Sequence, residues 1–146
     1  MSAVPVDGAR LDAEIEELAR ISDTPYPSVT RVLFTDTDLR ARAWLTDRMR
    51  DAGLEVRVDA IGNVIGRWEG TDPAAAPVAT GSHIDAIPDA GRFDGVVGVL
   101  GGLEAIRALM AAGVRPVRSV ELIMFTAEEP TRFAFGCLGS RVLAGV

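Results

Sequence analysis

One histidine and four carboxylates carry the chemical interest of this sequence. They fall into two clusters. The first is Gly81-Ser-His-Ile-Asp followed by Gly91-Arg-Phe-Asp-Gly, which holds His83, Asp85 and Asp94; the second is Thr126-Ala-Glu-Glu-Pro, with Glu128 and Glu129. His83 and Asp85 are two apart, so on an extended backbone they project to the same side. The Asp85 carboxylate can then hold one imidazole nitrogen while the other faces a metal. A core histidine satisfied by a neighbouring carboxylate is the plainer reading of the same pair. Asp94 follows His83 by eleven residues, where loop should pass into helix. As a helix N-cap it needs no further role, yet Gly95 would let the backbone come close to whatever Asp94 contacts. The adjacent Glu128 and Glu129 repel unless protons or cations are shared between them. At the end of a buried strand, beside a histidine and an aspartate, a divalent cation is the natural compensation, and imidazole with oxygen ligands suits zinc or manganese. A nucleophilic triad fits less well: there is no Gly-x-Ser-x-Gly elbow, and no second histidine to serve Ser82, Ser140 or Cys137.

The elements that must position these groups are legible from hydropathy. Leu11, Ile15, Leu18 and Ala19 predict an amphipathic helix over Arg10 to Ile21, with Glu14, Glu16 and Glu17 pointing elsewhere, closed off before Pro25 and Pro27. Leu39, Ala43, Leu45 and Met49 predict a second helix from Asp38 to Ala52, stopped by Gly53. Two strands should follow, at Glu55 to Ala60 and at Asn63 to Trp68, with Asn63 read as a turn residue between them. Val78 to Thr80 reads as the end of a buried strand, followed by a polar, glycine-bearing loop. Val96 to Ala112 is the longest helical candidate, and Val120 to Thr126 a strand covered on both faces. Gly139 to Val146 looks like a helix that stops without a terminating signal. Alternating strands and helices predict an α/β domain with a largely parallel sheet, whose functional groups collect in loops at the carboxyl ends of the strands.

Composition narrows the options further. The 146 residues carry 21 acidic side chains against 15 basic ones, a formal charge of −6, so a nucleic-acid partner is not expected. Every basic residue is arginine; without lysine, a Walker-type phosphate loop and a Schiff-base mechanism are excluded. The lone Cys137 offers neither a disulfide nor a multi-cysteine zinc site, and reads as a small buried hydrophobe in a reducing, cytoplasmic setting. No signal peptide or membrane span is evident.

Together these segments resemble the N-carbamoyl-amino-acid and ureide amidohydrolases, among the aminoacylase-like two-metal hydrolases of metallopeptidase clan MH. The resemblance rests on Thr80-Gly-Ser-His-Ile-Asp-Ala-Ile-Pro, Gly91-Arg-Phe-Asp-Gly-Val-Val-Gly-Val-Leu-Gly-Gly-Leu-Glu-Ala, Phe125-Thr-Ala-Glu-Glu-Pro-Thr-Arg-Phe and Gly136-Cys-Leu-Gly-Ser-Arg, with Asp59 to Gly66 fitting the family's Gly-Asn strand. It implies a three-layer, zinc-exopeptidase-like α/β domain with a mostly parallel mixed sheet. It further implies two divalent ions per complete site, zinc or manganese. His83 would be a terminal ligand oriented by Asp85, Asp94 the bridging carboxylate, Glu129 a ligand of the other ion and Glu128 the general base. These groups should converge on a common point, and the Asp94–Gly95 peptide should be cis. The wording of the motifs is similar to members acting on allantoate or ureidoglycolate. Family members are longer, form homodimers through an inserted domain, and carry two further metal-binding histidines. Residues 1–146 are therefore expected to be the N-terminal part of the catalytic domain, without the dimerisation domain and inactive alone.

Two other classes compete. One is a non-catalytic module whose acidic pocket is a vestige or a single-cation site. The other is a dinucleotide-binding domain, which is poorly supported because Gly95, Gly98, Gly101 and Gly102 lack the Gly-x-Gly-x-x-Gly spacing and Asp94 would repel a pyrophosphate.

Overall fold

A computed structural model describes residues 3–146. Helix α1 (Gly8–Ala19) begins at an Asp7 cap and buries Ile15, Leu18 and Ala19. Glu14 also turns inward, where Arg107 donates to it at 2.7 Å. Strand β1 (Val29–Arg31) is followed by α2 (Asp36–Asp51), whose Thr35 cap accepts from Asp38 N–H. Acidic Asp36 and Asp38 sit in its first turn and basic Arg48 and Arg50 in its last, matching the helix dipole at both ends. Its inner face differs from the one expected. Ala41, Leu45 and Met49 are buried at i, i+4 and i+8, whereas Leu39 is 51% exposed and Ala43 is also exposed. Inward-facing Asp38 and Arg42, paired at 2.8 Å, take space that an apolar-only reading gave to those residues.

Next come β2 (Glu55–Val58), β3 (Val64–Trp68), β4 (Val78–Ser82), β5 (Ala86–Ala90), α3 (Val96–Ala111), β6 (Val120–Met124) and α4 (Leu138–Ala144). The main sheet has the order β2-β3-β6-β4. It is mixed, as expected, but not mostly parallel among the described residues: β2–β3 and β3–β6 are antiparallel, and β4–β6 is parallel. Leu122, Ile123 and Met124 make β6 the buried centre. Val78 to Thr80, expected to be buried, are exposed, because β4 is an edge strand with β6 on one side and no strand on the other among the described residues. Helix α3 packs closely on β4 and β6 through its glycines: a Cβ at Gly98 would strike Ser82, and one at Gly102 would strike Leu122. Gly98 and Gly102 thus serve close packing, whereas Gly101 faces open space.

A small second sheet pairs β1 with β5 antiparallel and was not legible in the sequence; Pro88 inside β5 and the brevity of β1 hide both. Helix α4 also departs from expectation, since it does have a stop. Gly145 takes φ 77°, its N–H bonds Val142 O, and the Val146 N–H bonds Arg141 O, a Schellman ending. Among the described residues no helix is long and apolar enough to cross a membrane.

These packing assignments set distinct expectations for stability. Leu122→Ala, in the fully buried centre of β6, should lower unfolding free energy by about 2–5 kcal/mol in a urea titration. Leu39→Ala should change it by no more than about 0.5 kcal/mol. A large loss at Leu39 would contradict the observed orientation of α2.

Candidate metal and catalytic centre

The β4–β6 pairing places Ser82 opposite Met124, so the chain leaves both strands at the same end of the sheet. Phe125 N–H continues the ladder to Ser82 O at 2.7 Å. His83 emerges from β4 directly beside this point, and the Glu128-Glu129 segment emerges from β6. Ala127 takes a left-handed backbone, φ 53°, which turns the chain sharply before the two glutamates.

His83 is 5% exposed. Its Nδ1 is 2.9 Å from the main-chain oxygen of Asp85, with the Asp85 carboxylate Oδ1 at 3.6 Å. The carbonyl, rather than the expected carboxylate, is therefore the close partner, and it favours the tautomer that carries its proton on Nδ1. Asp85 instead accepts from the Glu129 N–H through Oδ2, at 3.0 Å, while its buried Oδ1 has no hydrogen-bond partner. Asp85 thus ties the two clusters together.

The Nε2 face of His83 looks onto carboxylates: Glu128 Oε2 at 3.5 Å and Asp94 Oδ1 at 3.8 Å. The N-cap reading of Asp94 does not hold. Gly95 occupies the cap position of α3 without any side-chain cap bond, and the Asp94 side chain is 73% exposed. The expected cis peptide between Asp94 and Gly95 is absent; the cis bond in the described residues is Tyr26–Pro27. The turn is made by Gly95 instead, with φ 64° and ψ −43° and a Val96 N–H to Asp94 O bond, a γ-turn that needs no peptide isomer. A side chain at Gly95 would collide with the His83 ring.

Glu129 sits next to this group, with its N–H bonded to Asp85, but makes no ion pair with His83 among the described residues. Burial raises the Glu129 pKa, and the neighbouring Glu128, Asp94 and Asp85 raise it further while His83 opposes them. Burial alone would lower the His83 pKa, but the Asp85 hydrogen bonds and the Glu128 charge outweigh it and bring the value to about 9.

Among the described residues no three His, Cys, Asp or Glu side chains form a ready-made cation cage. The donor chemistry nevertheless suits a divalent ion. Ligand atoms about 2.0–2.1 Å from a tetrahedral ion stand about 3.3 Å from one another, close to the observed separations of Nε2 from the two carboxylates. Those separations are long for hydrogen bonds. These separations belong to His83, Asp94 and Glu128; the Glu129 carboxylate makes no such contact with His83 among the described residues.

Some neighbours were missed or misread in the sequence. Cys137 is exposed rather than buried, and its thiol donates to Glu128 Oε1 at 3.3 Å, which raises the thiol pKa. Asn63 is a fully buried bridging residue rather than a turn residue. Arg31, almost wholly buried, donates to Leu18 O, Ile21 O and Ile84 O, the last lying between His83 and Asp85. No local pattern announces such a role for an arginine. Arg132 donates to Leu33 O, and Arg141 lies over the Phe135 ring.

An α/β domain thus brings an imidazole and several carboxylates to the carboxyl ends of neighbouring strands, a donor set that suits a divalent cation. Residues 63–145, more than half of the chain, match the model of Peptidase family M28, and the chain belongs to that family. It is 58% identical to the ureidoglycolate hydrolase of Oryza sativa subsp. japonica, over 96% of this chain and 29% of that protein. It is 44% identical to an N-carbamoyl-L-amino acid amidohydrolase of Geobacillus stearothermophilus, over 96% of this chain and 34% of that protein. A crystal structure of a hydantoinase/carbamoylase family amidase from Burkholderia vietnamiensis superposes with a TM-score of 0.96 at 45% identity, covering 100% of this chain and 35% of that one. The chain therefore spans about a third of the length of the relatives it matches.

Because His83 is the single histidine, its ring can be followed without ambiguity. In the metal-free chain its NMR titration should centre near pH 9 rather than at the ordinary 6.5. A folded-state value above the unfolded one means that the associated stability is complete below about pH 6.5 and is lost as pH rises through about 9. Asp85→Asn should move the midpoint down. A wild-type midpoint at or below 6.5 would contradict the described surroundings of the imidazole.

Proposed function

We propose that this chain contributes part of the active site of an amidohydrolase that cleaves non-peptide C–N bonds of ureides or N-carbamoyl amino acids, with ureidoglycolate or allantoate as the preferred substrate type. The observation that carries the reading is the meeting of His83 Nε2 with the Glu128 and Asp94 carboxylates at one end of the β4–β6 pair. The names of the relatives, a ureidoglycolate hydrolase and an N-carbamoyl-L-amino acid amidohydrolase, supply the substrate class.

In this proposal His83, Asp94 and Glu129 hold two divalent ions, zinc or manganese, together with groups from the remainder of the protein. Such ions supply Lewis acidity, lowering the pKa of a water from about 15.7 to about 7. Asp85 fixes the imidazole through its carbonyl and keeps Nε2 aimed at the carboxylates. Glu128, 38% exposed in its side chain and steadied by the Cys137 thiol, is accessible to take a proton from the attacking water and return it to the leaving nitrogen. A peptidase or aminoacylase acting on the same C–N chemistry is the second reading, favoured by the family to which the chain belongs.

His83, Asp94 and Glu129 are too few for two catalytic ions that each take about three protein ligands. With added Mn²⁺ or Zn²⁺ the 146-residue chain should release no ammonia above background from allantoate, ureidoglycolate or N-carbamoyl amino acids. The full-length protein should turn over a ureide, and its Glu128→Gln form should lose roughly 10²- to 10⁴-fold in kcat. Turnover by the short chain that disappears with Glu128→Gln would show that the site is complete without further residues. Full-length turnover confined to peptides would move the assignment to the second reading.

A further inference from the structure

Both ends of the segment carrying Glu128 and Glu129 meet at one side chain. Asn63, immediately before β3, has no solvent exposure. Its Oδ1 accepts the Thr126 N–H at 2.8 Å, and its Nδ2 donates to Gly139 O at 3.1 Å and to Asp59 Oδ2 at 2.8 Å. Thr126 is where the loop leaves β6, and Gly139 is where it returns in α4. Between them three backbone rungs run outward: Gly139 N–H to Thr126 O, Leu138 N–H to Ala127 O and Cys137 N–H to Glu128 O, at 2.8, 2.9 and 2.9 Å. The last rung ends on the carbonyl of Glu128 itself. Beyond it, the Cys137 thiol takes Glu128 Oε1 and leaves Oε2 facing His83 Nε2.

The side-chain amide is oriented unambiguously. Its oxygen faces an N–H donor, and its nitrogen faces a carboxylate and a carbonyl, so a flipped amide would oppose like groups at every contact. Asp59 fixes Asn63 from below, accepting its backbone N–H at 2.8 Å through Oδ1. Gly139 has no room for a Cβ, which would run into Asn63 Oδ1 and the Thr126 backbone. Without the amide, the buried Thr126 N–H and the Gly139 carbonyl lose the partner that joins them. We infer that Asn63 is a positioning residue for the general base: by bridging Thr126 and Gly139 it closes the neck of the loop and sets the Glu128 carboxylate beside His83 Nε2. This rests on the reading of Glu128 as the base.

The test is a double-mutant cycle in the full-length protein, with Asn63→Ala, Asn63→Ser, Glu128→Gln and the paired variants, using the ureide that the wild type turns over fastest. Asn63→Ala should lower kcat roughly 10- to 100-fold, the range expected when a catalytic group is displaced by about 1 Å, with KM within about 2-fold. Asn63→Ser is too short to bridge Thr126 and Gly139 but places no charge beside Asp59 in the buried neck. It should show a kcat loss of similar size, and it carries the test if the alanine form does not fold. In the Glu128→Gln background neither change should lower kcat further, because the group they position is already gone. An equal fold-loss in both backgrounds, a loss confined to KM, or no loss would overturn the inference while leaving Glu128→Gln inactive and the functional reading intact. Wild-type kcat in Glu128→Gln would instead remove the base assignment, and this inference with it.

Discussion

The parallel pairing of β4 with β6 is the constraint on which the site depends. Its register sets Ser82 against Met124, and the Phe125 N–H to Ser82 O bond carries the ladder one step further. Because the strands run the same way, the residues that follow each of them emerge at the same end. His83 and Glu128 are 45 positions apart in the chain, yet come within 3.5 Å. A shift of one residue in that register would turn the strand side chains to the opposite face and separate the two clusters. Gly98 and Gly102 of α3 serve the same pairing, since they let the helix lie close against Ser82 and Leu122. Gly95 then swings the chain so that Asp94 reaches the imidazole from the α3 side.

What this arrangement gathers is negative charge that no arginine meets at contact distance among the described residues. Asp85, Asp94, Glu128 and Glu129 surround one imidazole, and the nearby arginines are engaged elsewhere. Arg31 is bound to three carbonyls, Arg42 to Asp38, Gly62 and Thr126, and Arg132 to Leu33. The electrostatic consequence is that the imidazole is held towards its charged form and the Glu129 carboxyl towards its neutral form. Carboxylates left to repel one another around a buried imidazole are what a divalent cation would relieve. Surface ion pairs such as Arg50–Asp47 or Arg67–Glu69 show the opposite pattern, with each charge matched at contact distance.

How much of this was legible in the sequence depended on whether the signal was local. His83, Asp94, Glu128 and Glu129 stand out because polar groups interrupt apolar strands at positions where the chain must turn. The α/β class, and the helices on Ile15 and Leu18 and on Leu100 and Leu103, followed from periodicity. The inward face of α2 did not, because Asp38 and Arg42, paired across one helical turn, lie on the buried side while Leu39 faces outward. The β1–β5 pair was hidden by Pro88, and the Gly145 stop was overlooked because the last turn of α4 is short. Asn63, Cys137 and Arg31 were beyond reach for a different reason. Each acts through a contact with residues far away in sequence, and a single chain of letters does not show which carbonyl or N–H will lie within bonding distance.

The central claim is that this cluster is a divalent-cation site anchored on one imidazole. Its most direct test is to titrate the chain with Mn²⁺ while observing the ring resonances of His83, which are unique in the spectrum. The account predicts that His83 broadens at the lowest manganese concentrations, before any exposed acidic surface is affected. It also predicts that Asp94→Asn raises the manganese concentration required by roughly 10-fold or more, the loss expected when a group that holds or orients the metal is removed. A His83 ring that stays sharp while residues elsewhere broaden would contradict it.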